Sequence, residues 1–303
     1  MVNKWKKLPS LERWKAKNPT SASLRIFRQY DVEIRRFMAS FYASQKYTYS
    51  QLGKKGSLWT DKAKDCFSIG TIDENLTLGM WQSDYKKFNL WIRLNFLMST
   101  CSFFETYIDS VITESIQSDP GIMLGCSRII DGIRLMKYNN EFKKDEFEDK
   151  IIDCVKGDWN SRLSGLYHLF PDMPTCFKDN LSDLEHVRIL RNEVAHAFGR
   201  DINESRNYEL NQIQPMRPLS IKTCGHYHHI MFKIAREFDE YLMNNHIGNY
   251  EPLLYYHRLY STIADKEKGD KLMTFKKSIG KDKIGRLISK SLCRQIIMYY
   301  DSL

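Results

Sequence analysis

From Ser21 to Tyr42 the apolar residues Leu24, Phe27, Tyr30, Ile34, Phe37, Met38 and Phe41 recur every three or four positions, with Arg25, Arg28, Arg35 and Arg36 set between them. That rhythm predicts an amphipathic basic helix. Phe88 to Gln117 predicts a longer one, whose wide apolar face carries Leu90, Leu94, Leu97, Cys101, Phe104, Ile108, Val111 and Ile112 and which Asp119-Pro120-Gly121 stops. Shorter helices are expected over 122–138, 141–156 and 158–170, the last ended by Pro171 and Pro174. Leu181 to Phe198 makes a further helix with Gly199 as its C-cap, and Tyr227 to Met243 repeats the pattern through Ile230, Ile234, Phe238, Tyr241 and Leu242. Segment 250–303 divides at Lys266-Glu267-Lys268-Gly269-Asp270 into two basic helical pieces. Between these elements, 50–88 reads as loop with a short hairpin, punctuated by Gly53, Gly56, Gly70 and Gly79, and a polar, proline-containing loop runs to Ser220. No internal repeat is visible.

Composition sharpens this to an all-α class. Fifteen glycines and 8 prolines in 303 residues are too few for a turn-dense β protein, while 42% hydrophobic, 13% aromatic and 27% charged residues exclude global disorder. The most apolar stretch, Leu90 to Ile112, is interrupted by Arg93, Asn95, Glu105 and Asp109, which excludes a membrane span, and the opening Met-Val-Asn-Lys-Trp-Lys-Lys lacks the apolar run of a signal peptide. A cytoplasmic protein is expected. Seven cysteines with no C-x-x-C pair read as reduced core thiols, and no closely spaced ligand set calls for metal.

Charge is uneven within the net +9. Residues 1–70 hold 15 Lys/Arg against 5 Asp/Glu, 71–250 hold 20 against 26, and 251–303 hold 11 against 6. Two basic ends flanking an acidic middle suit arms that follow a polyanion, Arg25, Arg28, Arg35, Arg36 and Arg188 being the candidate RNA-binding residues. The same distribution also suits ends that pair with the protein's own acidic middle.

The segment with most chemical content is Leu190-Arg191-Asn192-Glu193-Val194-Ala195-His196-Ala197-Phe198-Gly199. On a helix Leu184, Val187, Leu190, Val194 and Phe198 form the core-facing stripe, and Arg191, Ala195, Asn192 and His196 lie beside it, Arg191 and His196 about 140° apart. A forked guanidinium suits a phosphate, and an imidazole moves protons near neutral pH. Ala195 would admit a second helix closely, so a symmetric homodimer would bring two copies of the pair to one crevice. The bland alternative pairs Arg191 with an acidic neighbour such as Glu105 and leaves His196 as a surface histidine.

Arg191-Asn192-x-x-x-His196 at the end of an amphipathic helix resembles the signature of HEPN domains. Ser102-Phe103-Phe104-Glu105-Thr106-Tyr107-Ile108 resembles the partner helix of that family, and Ile234 to Leu242 is similar to its closing helix, so the resemblance covers roughly 88–245. It implies a helical bundle, usually dimeric, and for many members a metal-independent ribonuclease of toxin, antiphage or RNA-processing systems. Carried onto this chain it makes Arg191 and His196 catalytic, Asn192 positioning or polarising, and Glu105 the residue that orients Arg191. No cofactor is implied; RNA, a second copy and a partner protein or antitoxin are the implied partners, and a non-catalytic HEPN scaffold binding RNA or protein is the alternative. HEPN toxins controlled by a nucleotidyltransferase often carry Tyr two residues after the His, where this chain has Phe198. The expected organisation is a basic helical arm and loop over 1–87, a HEPN-like bundle over 88–245 and a basic helical extension over 246–303.

Three weaker features complete the reading. His226-Tyr227-His228-His229 lacks further ligands at useful spacing and reads as surface histidines. Gly53-Lys54-Lys55-Gly56 reads as a turn. Trp5, Trp14 and Tyr30 among basic residues are suited either to base stacking or to packing the arm onto the core.

Overall fold

A computed structural model describes residues 9–67, 73–140, 143–206, 213–281 and 288–303. Trp5, Gly70 and positions 207–212 of the polar loop lie outside them. The fold is all-α: α1 (Ala22–Lys54), α2 (Ala63–Phe67), α3 (Leu78–Ser118), α4 (Gly132–Lys137), α5 (Glu148–Val155), α6 (Trp159–Leu169), α7 (Cys176–Asp179), α8 (Leu181–Ala197), α9 (Ile202–Ser205), α10 (Ile221–Leu242), α11 (Tyr250–Ile263), α12 (Lys268–Ile279) and α13 (Lys290–Ser302). Among the described residues β pairing is limited to one bridge, Lys62 to Thr77. No described helix is long and apolar enough to cross a membrane. The chain divides into two compact units, residues 1–27 with 105–181 and 233–303, and residues 28–104 with 182–232. The boundaries fall inside α1, α3, α8 and α10, so each unit is assembled from segments distant in sequence.

In the first unit Leu24, Phe27, Tyr107, Val111, Phe170, Phe238 and Tyr256 are buried, and α11 packs against α12 and α13. Three of its helices begin where a side-chain oxygen serves as a missing acceptor: Ser21 Oγ accepts from the Leu24 amide at 3.0 Å, Asp158 Oδ1 from Ser161 at 3.0 Å and Ser289 Oγ from Leu292 at 3.1 Å. Among the described residues the C-terminal region holds three helices rather than two, α12 opening after Glu267 and α13 after Ser289.

The described N-terminal residues, 9–27, belong to this unit. Arg13 is buried, donating from Nε to Asp131 Oδ1 at 2.9 Å, from Nη1 to the Ile247 carbonyl at 2.8 Å and from Nη2 to Ser118 Oγ at 2.8 Å. Its guanidinium stands 4.4 Å from the Trp14 ring centroid, so Trp14 serves packing. Gly248, at φ 56°, lets the following turn pass against this segment: a Cβ there would lie 2.4 Å from the Arg13 carbonyl oxygen.

The start of α1 is held by carboxylates. Ser21 donates to Asp239 through both its amide and its hydroxyl, the Ala22 amide donates to Glu251 Oε1, and Arg25 Nη2 pairs with Glu251 Oε2 at 2.7 Å. Burial, then the neighbouring Glu251 and Asp239, push the Glu114 carboxyl well above the usual range against the opposing pull of Arg25. A pKa raised on folding contributes stability in full below the unfolded-state value and loses it as pH rises through the folded-state value. Denaturant titrations are therefore expected to show stability declining above the ordinary carboxylate range. In Glu114→Gln, which cannot ionise, that decline should flatten; an identical pH profile would show that Glu114 does not titrate between the two states.

In the second unit Leu94, Leu97, Cys101, Phe104, Leu184, Val187, Ile230 and Met231 are buried. A smaller cluster of Leu52, Ala63 and Leu78 is covered by Phe67, Leu76 and Trp81. The expected loop is confined to 55–62 and 73–77 among the described residues, joined by the antiparallel Lys62–Thr77 bridge, since α1 continues to Lys54, α2 intervenes and α3 already begins at Leu78. Gly53-Lys54-Lys55-Gly56 closes α1 in a turn, Gly56 taking φ 66°. Five of the seven cysteines, Cys101, Cys154, Cys176, Cys224 and Cys293, are buried and all seven are free; burial pushes the Cys154 thiol up to about 12, away from thiolate chemistry.

Candidate functional site

α8 carries the Arg–Asn–His motif in the second unit. Leu184 and Val187 are buried, and Arg191, seven residues after Leu184 and so on nearly the same face, is half-buried. Going round the helix from Arg191 come Ala195, Asn192 and then His196, of which Ala195 and His196 are exposed. Arg191 Nη1 donates to Asn192 Oδ1 at 3.1 Å, so the amide oxygen steers the guanidinium from the next position in the chain. The site thus offers a partly desolvated, oriented cation and a solvent-accessible imidazole on one side of a helix.

The end of the helix departs from the expected stripe. α8 stops at Ala197; Phe198 takes the left-handed φ of 55° and Gly199 follows at 77°. This double reversal leaves Phe198 55% exposed, its ring stacked on Trp91 at 5.9 Å, instead of extending the core stripe. Gly199 is required twice over, by its φ and because a Cβ would sit 2.7 Å from Leu94 Cδ1.

Glu193, on the side of α8 away from Leu184, is buried to 4% exposure. It accepts from Arg217 Nε at 3.0 Å, while Arg217 Nη2 reaches Asp201 at 2.6 Å and the Arg217 amide reaches the Gly199 carbonyl at 2.7 Å. Asp201 also accepts from the amides of Asn203 and Glu204; those bonds, with Arg217 beside it, hold its carboxyl below the usual range. This network folds the chain after His196 back onto the helix. Sequence inspection did not find it: the only cue is an acidic residue inside the motif, with its partner 24 positions away.

Glu105 belongs to the first unit, where it accepts from Arg162 Nη1 at 2.8 Å. Arg162 also stands over Trp159, 4.9 Å from the ring centroid. Arg25 is held by Glu251 and the Thr20 carbonyl at the start of α1. Arg35 pairs with Asp31 at 2.8 Å and Arg188 with Glu185 at 2.5 Å. Arg28 and Arg36 line a groove of about 570 Å³ along α1 with Val32 and Phe37. Tyr30 stacks on Phe103 at 4.6 Å. Of the histidine run, His226 and His229 are exposed, but His228 is half-buried, 2.5 Å from Asp31 and stacked on Phe232. Among the described residues no group of three His, Cys, Asp or Glu is arranged to hold a metal.

No protein-family model matches the chain, and no solved structure matches it. Over 161 residues it is 26% identical to a lysine–tRNA ligase of Borrelia garinii subsp. bavariensis, a match covering 52% of this chain and 25% of the ligase. The similarity therefore spans about a quarter of that relative's length.

Proposed function

We propose that the protein is a HEPN-type endoribonuclease that cuts RNA, tRNA included, without metal, and that it works as a toxin or defence effector in the cytoplasm. The observation that carries this reading is the placement of half-buried Arg191 and Asn192 and exposed His196 within about 140° of the α8 surface, with Asn192 steering the guanidinium. His196 takes the proton from a ribose 2′-hydroxyl as that oxygen attacks the adjacent phosphorus. Arg191 holds the charge that develops on the phosphate oxygens, and the 5′-oxygen leaves, taking its proton from solvent water. The products are a 2′,3′-cyclic phosphate and a 5′-hydroxyl. The similarity to a ligase acting on tRNA supports a nucleic-acid substrate.

Two copies of the site are brought together in a homodimer through α8 in this proposal. Ala195 is exposed and small, as a close helix–helix contact needs. Ala195→Trp is expected to give a monomer in light scattering and to lose cleavage. A dimeric, fully active Ala195→Trp protein would remove α8 from the interface.

The test of activity is incubation with total RNA and with tRNA beside the Arg191→Ala/His196→Ala variant. Cleavage should occur only with the parent protein and should persist in excess chelator. Loss on chelation with recovery in Mg²⁺ or Mn²⁺ would place the chemistry elsewhere.

A further inference from the structure

Along α3 the residues Trp81, Tyr85, Phe88 and Trp91 follow spacings of four, three and three, which puts their rings on one side of the helix. The rings touch in series: Trp81 to Tyr85 at 5.0 Å, Tyr85 to Phe88 at 6.0 Å, Phe88 to Trp91 at 6.0 Å, and Trp91 to Phe198 at 5.9 Å. The last two contacts are stacked, with interplanar angles of 18° and 27°. In the first unit Phe238, Phe177 and Tyr256 have no exposed surface, whereas Phe88 is 44% and Phe198 55% exposed. The row ends two residues beyond His196.

Its edges are basic. Arg200 lies over the Phe198 ring, 5.0 Å from the centroid, and Lys86 and Lys87 are exposed on α3 beside Phe88, with Asp84 paired to Lys87 at 3.0 Å. A row of rings with cations along it is the arrangement that holds unpaired bases by their faces and the phosphate chain by its charge. A duplex buries those faces in its own stack, and a purely apolar protein partner would gain nothing from the flanking cations.

We propose that Phe88, Trp91 and Phe198 form a stacking platform for the bases of single-stranded RNA, leading the strand to Arg191 and His196. The inference rests on the ribonuclease reading for its direction, since that reading supplies the site at which the platform ends. Phe198 has a role of its own in it: the reversal that ends α8 presents the ring to the strand.

The test uses the full-length His196→Ala protein, so that binding is read without cleavage, and a labelled, unstructured 12-nucleotide RNA. Phe88→Leu and Phe198→Leu are each expected to raise Kd roughly tenfold, while the tyrosine variants keep it within about twofold. The slope of log affinity against log salt should not change, because no phosphate contact is removed. An abasic oligomer of equal length and charge should bind weakly to all of them alike. Circular dichroism and melting of each variant confirm that the fold is kept. The platform is overturned by unchanged affinity in the leucine variants, by an abasic oligomer that binds as tightly as RNA, or by a parent that binds no single strand. It is also overturned if the leucine variants dissociate a dimer while RNA affinity stays constant, which would make the rings a contact between copies. Ring-dependent binding without any cleavage in the unmutated protein would keep the platform and remove the ribonuclease; cleavage indifferent to the rings would do the reverse.

Discussion

Alanine in place of His196 is expected to lower the rate of RNA cleavage by roughly 10²- to 10⁴-fold, the range in which a positioned general base contributes. His196 is exposed at the end of α8, so the substitution should leave the melting temperature nearly unchanged, and lost activity will report chemistry rather than folding. Arg191→Ala should cost about 10²- to 10³-fold, as removal of one charge-stabilising donor does. Arg191→Lys should rescue little, because a lysine offers a point charge where the guanidinium presents a fixed fork steered by Asn192. The double variant should be scarcely worse than the more impaired single one, since residues serving one transition state are not additive. Single-turnover rates on a tRNA substrate read all four values; full activity in His196→Ala would remove the imidazole from the mechanism.

The second large effect concerns stability. Arg13→Ala is expected to destabilise the first unit by about 3–5 kcal/mol, because it strands Asp131 in the interior without its cation. It also removes the donors to Ser118 and to the Ile247 carbonyl. Asp131 accepts besides from Tyr299 Oη at 2.7 Å and from the Ile133 amide that opens α4, so three segments loosen together. Against a typical total of about 5–15 kcal/mol, that loss is a large fraction of the stability of the fold. Urea titration should show the midpoint falling with little change in slope. A midpoint equal to that of the parent would mean that the N-terminal segment is an arm after all.

Helix content was legible because three- and four-residue spacing of apolar side chains survives any tertiary arrangement. α8 shows it best, its observed span Leu181–Ala197 ending one residue before the expected limit. The start of α3 was hidden by Gly79, which reads as punctuation but sits in a helix where a close neighbour, the Trp59 carbonyl, is 3.2 Å from the place of a Cβ. Arg13 and Arg25 were counted with the basic surface because charge along a chain does not say which cations meet buried carboxylates 118 or 226 positions away. Within the motif, the spacing of Arg191 and His196 could be read directly, but the reversal at Phe198 could not. A glycine after a helix announces its end; that the residue before it also turns left-handed, freeing a ring to stack on Trp91, depends on the packing of Gly199 against Leu94.

The account stands most directly on the ends of the RNA fragments. Purified protein, incubated with tRNA in excess chelator, should yield fragments ending in a 2′,3′-cyclic phosphate with 5′-hydroxyl partners, and the Arg191→Ala/His196→Ala protein should yield none. Equal cleavage by both proteins, or fragments bearing 5′-phosphates and 3′-hydroxyls, would contradict it.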